Sequence, residues 1–426
     1  MMKEYSFAYG SSAVTIPLDE SQIRAELFGN RIPAIADIRA AVRKSLDEPI
    51  ESKPLRRCVR AGNRVALIVS DMSRFWMRQD LVVPHLVEYL LDDCSLSPED
   101  ITILVATGTH PGGGEEELRR LVTDDVFDRI RVVNHDCRAN DLVSLGTTSF
   151  GTEVAVNRIA AQADLCLCLG AATFHVMAGF GGGRKSILPG ISSETTIRQN
   201  HSLSLHPTEL RSNPFIGNGR IEDNPLNRDM LEAAGMMKNL FMVNLVVNAE
   251  EKLCAVYSGH YRTSWERACE EVRRVYQVPI KERTDVVIAG CGGYPRDMSL
   301  YQGTKAIDNV ESALKPGGTL ILVIEAREGG GPVEYFGWSR NLQDGTLEKR
   351  LREAFTVAGY VFFLNCEQAQ RYRIMLLSEL DPADTAPMGI ETYHDVPSLL
   401  AAAKLEGKSI IVIPNGGSVV PVVEGE

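Results

Sequence analysis

Short, continuously apolar segments alternate with segments of helical spacing through most of this chain, and this alternation constrains its fold most strongly. The apolar segments of the first part lie at residues 64–71, 101–107, 130–134, 165–170 and 241–248. Runs without a polar face are typical of strands buried on both sides of a parallel sheet. Helical spacing follows at residues 80–93, 115–122 and 155–163. We therefore predict an α/β fold with mostly parallel, doubly wound sheets.

A second alternation begins near residue 280 and predicts a second α/β domain. Its strands are expected at 285–290, 319–325, 360–364 and 373–377, and its helices at 304–314 and 346–357. We expect an N-terminal domain over residues 1–275, opening with a strand or hairpin at 4–17, and a C-terminal domain over residues 280–409. A last strand begins at residue 409, and the tail 410–426 could join the first domain or close the second.

Composition and charge exclude several classes of protein. The chain has 426 residues and a net charge of −11, and a nucleic-acid-binding protein needs a basic surface instead. Its nine cysteines include no C-x-x-C pair, as in a cytosolic protein. Neither a signal peptide nor a membrane span is evident. We expect a cytoplasmic protein with a small-molecule partner, without nucleic-acid or membrane partners, and leave its oligomeric state open.

A glycine-rich stretch between His175 and His201 is the strongest candidate site. Lys185 follows the triple glycine Gly181, Gly182 and Gly183, which lets the backbone close tightly on a ligand. Arg184 stands where both a P-loop and a dinucleotide fingerprint require glycine, so neither nucleotide motif is present. The lysine could be a charge for an anion or a nucleophilic amine. The alternative is a glycine-rich turn with an exposed lysine.

The stretch should end in a helix that carries the second histidine. Ser192 or Ser193 can cap this helix, and Glu194 is favourable near its positive end. Ile197 and His201 would then share one face, since they lie one turn apart.

Other polar residues follow directly after predicted strands, where α/β sheets bind ligands. Asp71 and Ser73 could fix a cofactor, and Arg74 could hold an acid through two hydrogen bonds. His110 lies in a glycine-rich loop and suits general acid/base chemistry, as does His175. A helix cap with a surface arginine is the alternative for residues 71–74.

The second domain offers one candidate cluster, at Tyr301, Gln302 and Lys305. It lies between a Gly-Gly pair and a predicted helix, and Gln302 and Lys305 are three residues apart. At that spacing they could face one ligand together. The alternative is an exposed helix start.

In order along the chain, these blocks resemble the nickel-pincer-dependent lactate racemase family and its wider group of 2-hydroxyacid racemases and epimerases. The blocks are D-x-[ST]-R at Asp71, T-G-T-H ending at His110, the His175–Lys185–His201 block, and Y-Q-x-x-K ending at Lys305. The resemblance implies two α/β domains with the active site in the cleft between them. It also implies a racemase or epimerase that inverts C2 of a 2-hydroxy carboxylic acid.

The resemblance further implies a cofactor and a role for each candidate residue. The cofactor is pyridinium-3-thioamide-5-thiocarboxylic acid mononucleotide nickel, attached covalently at Lys185, with His201 as nickel ligand and His110 and His175 as acid/base catalysts. The cofactor-binding residues would also include Asp71, Ser73, Gly181, Gly182 and Gly183. The substrate-binding residues would be Arg74, Tyr301, Gln302 and Lys305. Separate cofactor-synthesis proteins would be needed for maturation.

One departure from the family pattern leaves the substrate open. Family members often have threonine before the arginine and proline after it, whereas this chain has Ser73, Arg74, Phe75 and Trp76. The bulky pair could reshape the pocket, so lactate, a larger hydroxy acid and a sugar acid all remain candidates.

Two other functions compete with the racemase. A nicotinamide-dependent 2-hydroxyacid dehydrogenase would need a glycine-rich loop after the first buried strand, and residues 71–76 contain no glycine. A non-catalytic nickel or cofactor carrier would not need two acid/base histidines.

Overall fold

The computed structural model describes residues 1–425 and divides the chain into two compact units. The larger unit comprises residues 31–204 and 214–275, and the smaller unit comprises residues 1–30, 205–213 and the chain from 276 onward. This division differs from the predicted one in two respects, because residues 1–30 and residues 205–213 both belong with the C-terminal part of the chain. The tail, whose place the sequence left open, belongs there too.

The strands are numbered in chain order. They are β1 Met2–Tyr9, β2 Ser12–Asp19, β3 Ile23–Glu26, β4 Val65–Ser70, β5 Ile101–Ala106, β6 Arg131–Asn134, β7 Val143–Thr147, β8 Glu153–Val156, β9 Leu165–Ala171, β10 Phe174–His175, β11 Gly179–Phe180, β12 Leu240–Val247, β13 Leu253–Gly259, β14 Gln277–Ile280, β15 Thr284–Gly290, β16 Leu314–Val323, β17 Arg373–Leu377, β18 Ile390–Tyr393, β19 Ile410–Ile413 and β20 Val420–Val423.

The α-helices are numbered in the same way. They are α1 Ile38–Asp47, α2 Val83–Asp92, α3 Glu115–Val122, α4 Asp124–Arg129, α5 Arg158–Ala161, α6 Glu194–Ser202, α7 Pro225–Gly235, α8 Thr263–Tyr276, α9 Leu300–Val310, α10 Ser339–Gln343, α11 Leu347–Glu353, α12 Val357–Arg371, α13 Pro382–Thr385 and α14 Val396–Ala403. None of the helices in residues 1–425 is both long and apolar enough to cross a bilayer.

The larger unit is built on a six-stranded sheet in the order β13-β12-β9-β4-β5-β6. All neighbours pair in parallel except β12 and β13. The predicted α/β fold with a mostly parallel sheet is therefore confirmed in this unit. The chain runs outward from β4 to β5 and β6, and then returns to place β9 on the other side of β4. This reversal makes β4 the switch point of the sheet.

The smaller unit has a second six-stranded sheet, in the order β18-β17-β16-β15-β19-β3, and every pairing in it is parallel. The pairing of β3 with β19 explains why the first residues belong here, and β20 brings the tail back beside β14. The predicted opening hairpin is confirmed, since β1 and β2 pair antiparallel and bury Phe7 and Ile16.

Two predicted elements were wrong. Residues 360–364 are not a strand but the middle of α12, which begins at its cap Thr356. This helix is buried around its whole circumference, so its apolar run has no polar face to reveal a helical period. The helix predicted at 155–163 is limited to α5, because residues 153–156 form β8 instead.

Candidate active site

Three of the loops that carry predicted site residues leave the carboxyl ends of neighbouring strands in the larger unit. Asp71 follows β4 directly, His110 lies in the loop after β5, and the glycine-rich stretch begins after β9. Because β4 lies between β5 and β9, these loops open at the switch point, where α/β sheets form their ligand crevice.

The loop after β4 and the loop after β5 meet through Asp71. Its Oδ2 lies 2.6 Å from Nδ1 of His110, and its Oδ1 accepts a hydrogen bond of 2.5 Å from the Ser73 hydroxyl. Arg74 donates to the same hydroxyl over 2.8 Å. Sequence reasoning predicted each of these residues separately, and the structure brings them into one network.

The network holds Asp71 as a carboxylate. Its burial opposes ionisation, but the hydrogen bonds from His110 and Ser73 outweigh burial, so the pKa of Asp71 is lowered from 3.8. A carboxylate can only accept hydrogen bonds, so Nδ1 of His110 carries a proton. The nitrogen left to exchange a proton with a ligand is therefore Nε2.

His175 and Lys185 form a second pair. Nζ of Lys185 lies 2.9 Å from Nε2 of His175, and both side chains are partly buried. Burial and the positive charges of Arg74 and Arg184 hold the pKa of Lys185 well below 10.5. Burial and the surrounding cations likewise hold the pKa of His175 well below 6.5. Both groups are therefore weaker bases here than they would be in water.

His201 lies on α6, which begins as predicted. The side chain of Ser193 accepts a hydrogen bond from the backbone of Thr196 and caps this helix. In the last turn, Nδ1 of His201 lies 2.9 Å from the carbonyl oxygen of Ile197, so it donates and leaves the lone pair on Nε2. Burial lowers the pKa of His201 to about 3, and the imidazole is therefore neutral.

Arg184 is the residue of this site that sequence reasoning missed, because it was read only as a break in nucleotide motifs. Its side chain is completely buried. The guanidinium donates to the carbonyl oxygens of Ala178 and Phe180 over 2.7 and 2.8 Å, and to Oδ1 of Asn227 over 2.9 Å. It also lies 3.9 Å from the ring centre of Trp265. Arg184 therefore holds the glycine-rich loop in shape.

Two residues of the triple glycine pack so closely against other parts of the protein that a side chain would not fit. A side chain at Gly182 would meet the backbone of Ala171 at 2.8 Å, and one at Gly183 would meet the ring of Trp265 at 2.6 Å. Both glycines also have positive φ angles, of 70° and 51°. Close packing against β9 accounts for Gly182, and close packing against Trp265 of α8 accounts for Gly183. The predicted contact of Gly181, Gly182 and Gly183 with a cofactor stays a prediction.

Phe75 and Trp76 pack against the hydrophobic core of the larger unit and are partly buried. The guanidinium of Arg120 covers the Phe75 ring at 4.5 Å. Both side chains thus have a structural role beside Arg74.

The candidate residues of the smaller unit lie at the start of α9. Ser299 caps this helix, and Nζ of Lys305 donates to Oε1 of Gln302 over 2.7 Å. The ring of Tyr301 lies edge-on against Tyr335, with the ring centres 6.2 Å apart. Gln302 and Lys305 thus lie on one face of the helix start, and the ligand that they are expected to face together stays a prediction.

Within residues 1–425, no group of three or more histidine, cysteine or acidic side chains is arranged to hold a metal ion.

A lysine and three histidines therefore lie on the loops and the helix that follow the strands of one doubly wound α/β sheet, and they form a candidate site for acid/base chemistry. Two family models match the chain, the lactate racemase N-terminal domain over residues 9–212 and the lactate racemase C-terminal domain over residues 280–421. The chain belongs to the lactate racemase family. It is an isomerase, and its small-molecule partner is a substrate.

Several relatives and solved structures are similar to the chain. Lactate racemases from Thermoanaerobacterium thermosaccharolyticum and Lactiplantibacillus plantarum are 31% and 32% identical to it, each over 78% of both chains. The structure of the former's apoprotein has a TM-score of 0.88 at 27% identity and covers 99% of this chain and 100% of that one. A Thermotoga maritima protein shares the fold, with a TM-score of 0.64 at 19% identity over 91% and 97% of the chains.

Proposed function

We propose that this isomerase inverts C2 of a 2-hydroxy carboxylic acid with the help of a covalently attached nickel-pincer nucleotide. The observation that carries the proposal is the pair of histidines at one edge of one sheet, His110 and His175, together with the lowered pKa of Lys185 beside His175. The family supports racemisation, and the geometry supports the assignment of roles.

The substrate chemistry explains why two histidines are needed. The hydrogen on C2 is a very weak acid, because a carboxylate is a poor electron sink. Removal of this hydrogen as hydride, while a base takes the hydroxyl proton, avoids a carbanion and leaves a 2-keto acid. Return of the hydride to the opposite face then inverts the centre. Each face needs its own proton acceptor and donor.

His110 would serve one face through its Nε2 atom. Its Nδ1–H is fixed by Asp71, which sets the tautomer and stabilises the imidazolium that forms when Nε2 takes the hydroxyl proton. Asp71 and Ser73 would thus act through His110 and Arg74 as well as on the cofactor.

His175 would serve the other face. Burial and nearby positive charges hold its pKa well below 6.5. To take the hydroxyl proton on Nε2, the ring would carry its own proton on Nδ1, and the two hydrogen bonds that Nδ1 accepts from the Met177 and Ala178 amides in the apoprotein would open. The imidazolium that forms would be a strong acid in this partly buried place and would return its proton readily.

Arg74 would bind the substrate carboxylate. Its side chain is 41% exposed, and one of its nitrogens is engaged by Ser73, which leaves further donors of the guanidinium for a ligand. Tyr301, Gln302 and Lys305 would contribute hydrogen bonds and a second positive charge from α9.

The residues present fit the cofactor. The proposed attachment point, Lys185, is an amine whose pKa is held well below 10.5, and the Nδ1 hydrogen bond of His201 puts the imidazole lone pair on Nε2, as a nickel ligand requires. When bound, the cofactor supplies an acceptor for hydride. Loading would require the cofactor-synthesis proteins, which are the partners we propose for maturation.

The substrate is proposed as a class, with lactate first because the relatives are named lactate racemases. Phe75 and Trp76 face the core at least in part, so this bulky pair is compatible with lactate as well as with a larger hydroxy acid. The dehydrogenase and the non-catalytic carrier are both superseded, because the chain is an isomerase of this family.

The experiment uses holoenzyme and a single lactate enantiomer with deuterium on C2. We expect the other enantiomer to form with the deuterium retained, because hydride return does not exchange with water. Loss of deuterium to solvent would indicate proton abstraction and contradict the mechanism. If lactate is inert, the same assay is run with larger 2-hydroxy acids, and inertness of the whole class would contradict the function.

A further inference from the structure

The ring of His175 receives two backbone hydrogen bonds on one nitrogen. The amides of Met177 and Ala178 both donate to Nδ1, over 3.1 and 3.2 Å. A protonated Nδ1 would direct its own hydrogen at these two donors, so Nδ1 must carry a lone pair. This excludes the imidazolium, in which both ring nitrogens are protonated. The single proton of the neutral ring is therefore on Nε2.

The Nε2–H group in turn needs an acceptor. The atom at hydrogen-bond distance is Nζ of Lys185, at 2.9 Å. An ammonium has three donors and no lone pair, so it cannot accept. We infer that, before cofactor attachment, Lys185 is a neutral amine that accepts a hydrogen bond from His175, whose tautomer is set by the Met177 and Ala178 amides.

The electrostatic surroundings agree with this hydrogen-bond pattern. Arg74 and Arg184 are the cations that act on Lys185, and together with burial they lower its pKa. His201 is neutral at physiological pH for the same reason of burial. The Asp71 carboxylate is already engaged by His110 and Ser73.

The neutral amine gives the chain a reactive nucleophile of its own. A lone pair on Nζ is what bond formation with an electrophilic carbon requires, and an ammonium would first have to lose a proton to a base. The inference rests on the proposed function for the target of the amine, but its argument uses hydrogen bonds alone. In the apoprotein, His175 is a positioning residue for Lys185.

The test determines the protonation states of the His175 and Lys185 side chains by NMR. The sample is apoprotein made without the cofactor-synthesis enzymes. With ¹⁵N-histidine, His175 should show a protonated Nε2 and an unprotonated Nδ1. With lysine labelled by ¹³C at Cε, Lys185 should give the signal of a neutral amine at about pH 7, where an ordinary lysine is an ammonium. Exposed Lys44 on α1 provides the reference in the same spectrum.

Variants assign the His175 and Lys185 signals and show which contacts set the His175 tautomer. His175→Ala and Lys185→Met each remove one signal. Lys185→Met should keep the His175 tautomer, because backbone amides set it. A protonated Nδ1, or an ammonium signal for Lys185 in wild type, would overturn the inference. Neither result would affect whether the cofactor attaches, which is a separate measurement by mass.

Discussion

At the scale of single residues, the site depends on which nitrogen of each histidine carries the proton. A carboxylate holds the ring proton of His110 on Nδ1, and a helix carbonyl holds that of His201 on Nδ1. Backbone amides that donate to Nδ1 of His175 leave its ring proton on Nε2. Sequence patterns predicted all three histidines, because each lies in a recognisable motif. They could not predict the tautomers, since the partners come from other loops or from the backbone.

Replacement of Asp71 by asparagine tests the His110 assignment. The asparagine amide would donate to Nδ1 and force the proton to Nε2, which then cannot accept the hydroxyl proton. We expect kcat to fall by about 10²–10⁴-fold, the range for loss of a general base. Asp80→Asn is the control, because Asp80 pairs with Arg78 instead of a histidine. Near-normal turnover of Asp71→Asn would remove His110 from the proposed role.

Replacement of His201 by alanine tests the metal assignment. The variant loses the only nitrogen ligand proposed for nickel, so the nickel content of protein matured with the cofactor-synthesis enzymes should fall, as measured by elemental analysis. His85→Ala is the matched control, since His85 is a partly buried histidine on α2. Full nickel occupancy in His201→Ala would reject His201 as a ligand.

At the scale of elements, the glycine-rich loop keeps its shape through Arg184. Its partners Asn227 and Trp265 lie far along the chain, on α7 and α8, so no local pattern could reveal the role. Local sequence also failed to predict α12, because a helix that is buried on every side has an apolar composition like that of a buried strand. Elements with one polar face, such as α3, were predicted with the correct ends.

Replacement of Arg184 by methionine tests whether Arg184 stabilises the glycine-rich loop. The change leaves the carbonyl groups of Ala178 and Phe180 without their buried donor, and each unsatisfied buried group costs about 1–3 kcal/mol. We expect a clear decrease in the urea midpoint of unfolding, followed by far-UV circular dichroism. Arg198→Met, at an exposed position of α6, should change stability by no more than about 0.5 kcal/mol. Equal stability of the two variants would contradict the role of Arg184.

At the scale of the whole molecule, the alternation of strands and helices was enough to predict two parallel α/β sheets. The boundary near residue 276 was also close to the expected position. The place of the first thirty residues was not predictable, because β3 joins its sheet by pairing with β19, almost four hundred residues later. Pairings between such distant segments leave no local pattern in either one.

The central claim is that Lys185 carries a nickel cofactor. The most direct test is intact-protein mass spectrometry with nickel analysis, on protein produced together with the cofactor-synthesis enzymes. We predict a mononucleotide-sized mass increment that maps to Lys185 and accompanies bound nickel, is lost in Lys185→Ala and is kept in Lys44→Ala. Absence of both increment and nickel, under conditions in which the Thermoanaerobacterium thermosaccharolyticum lactate racemase acquires both, would contradict the account.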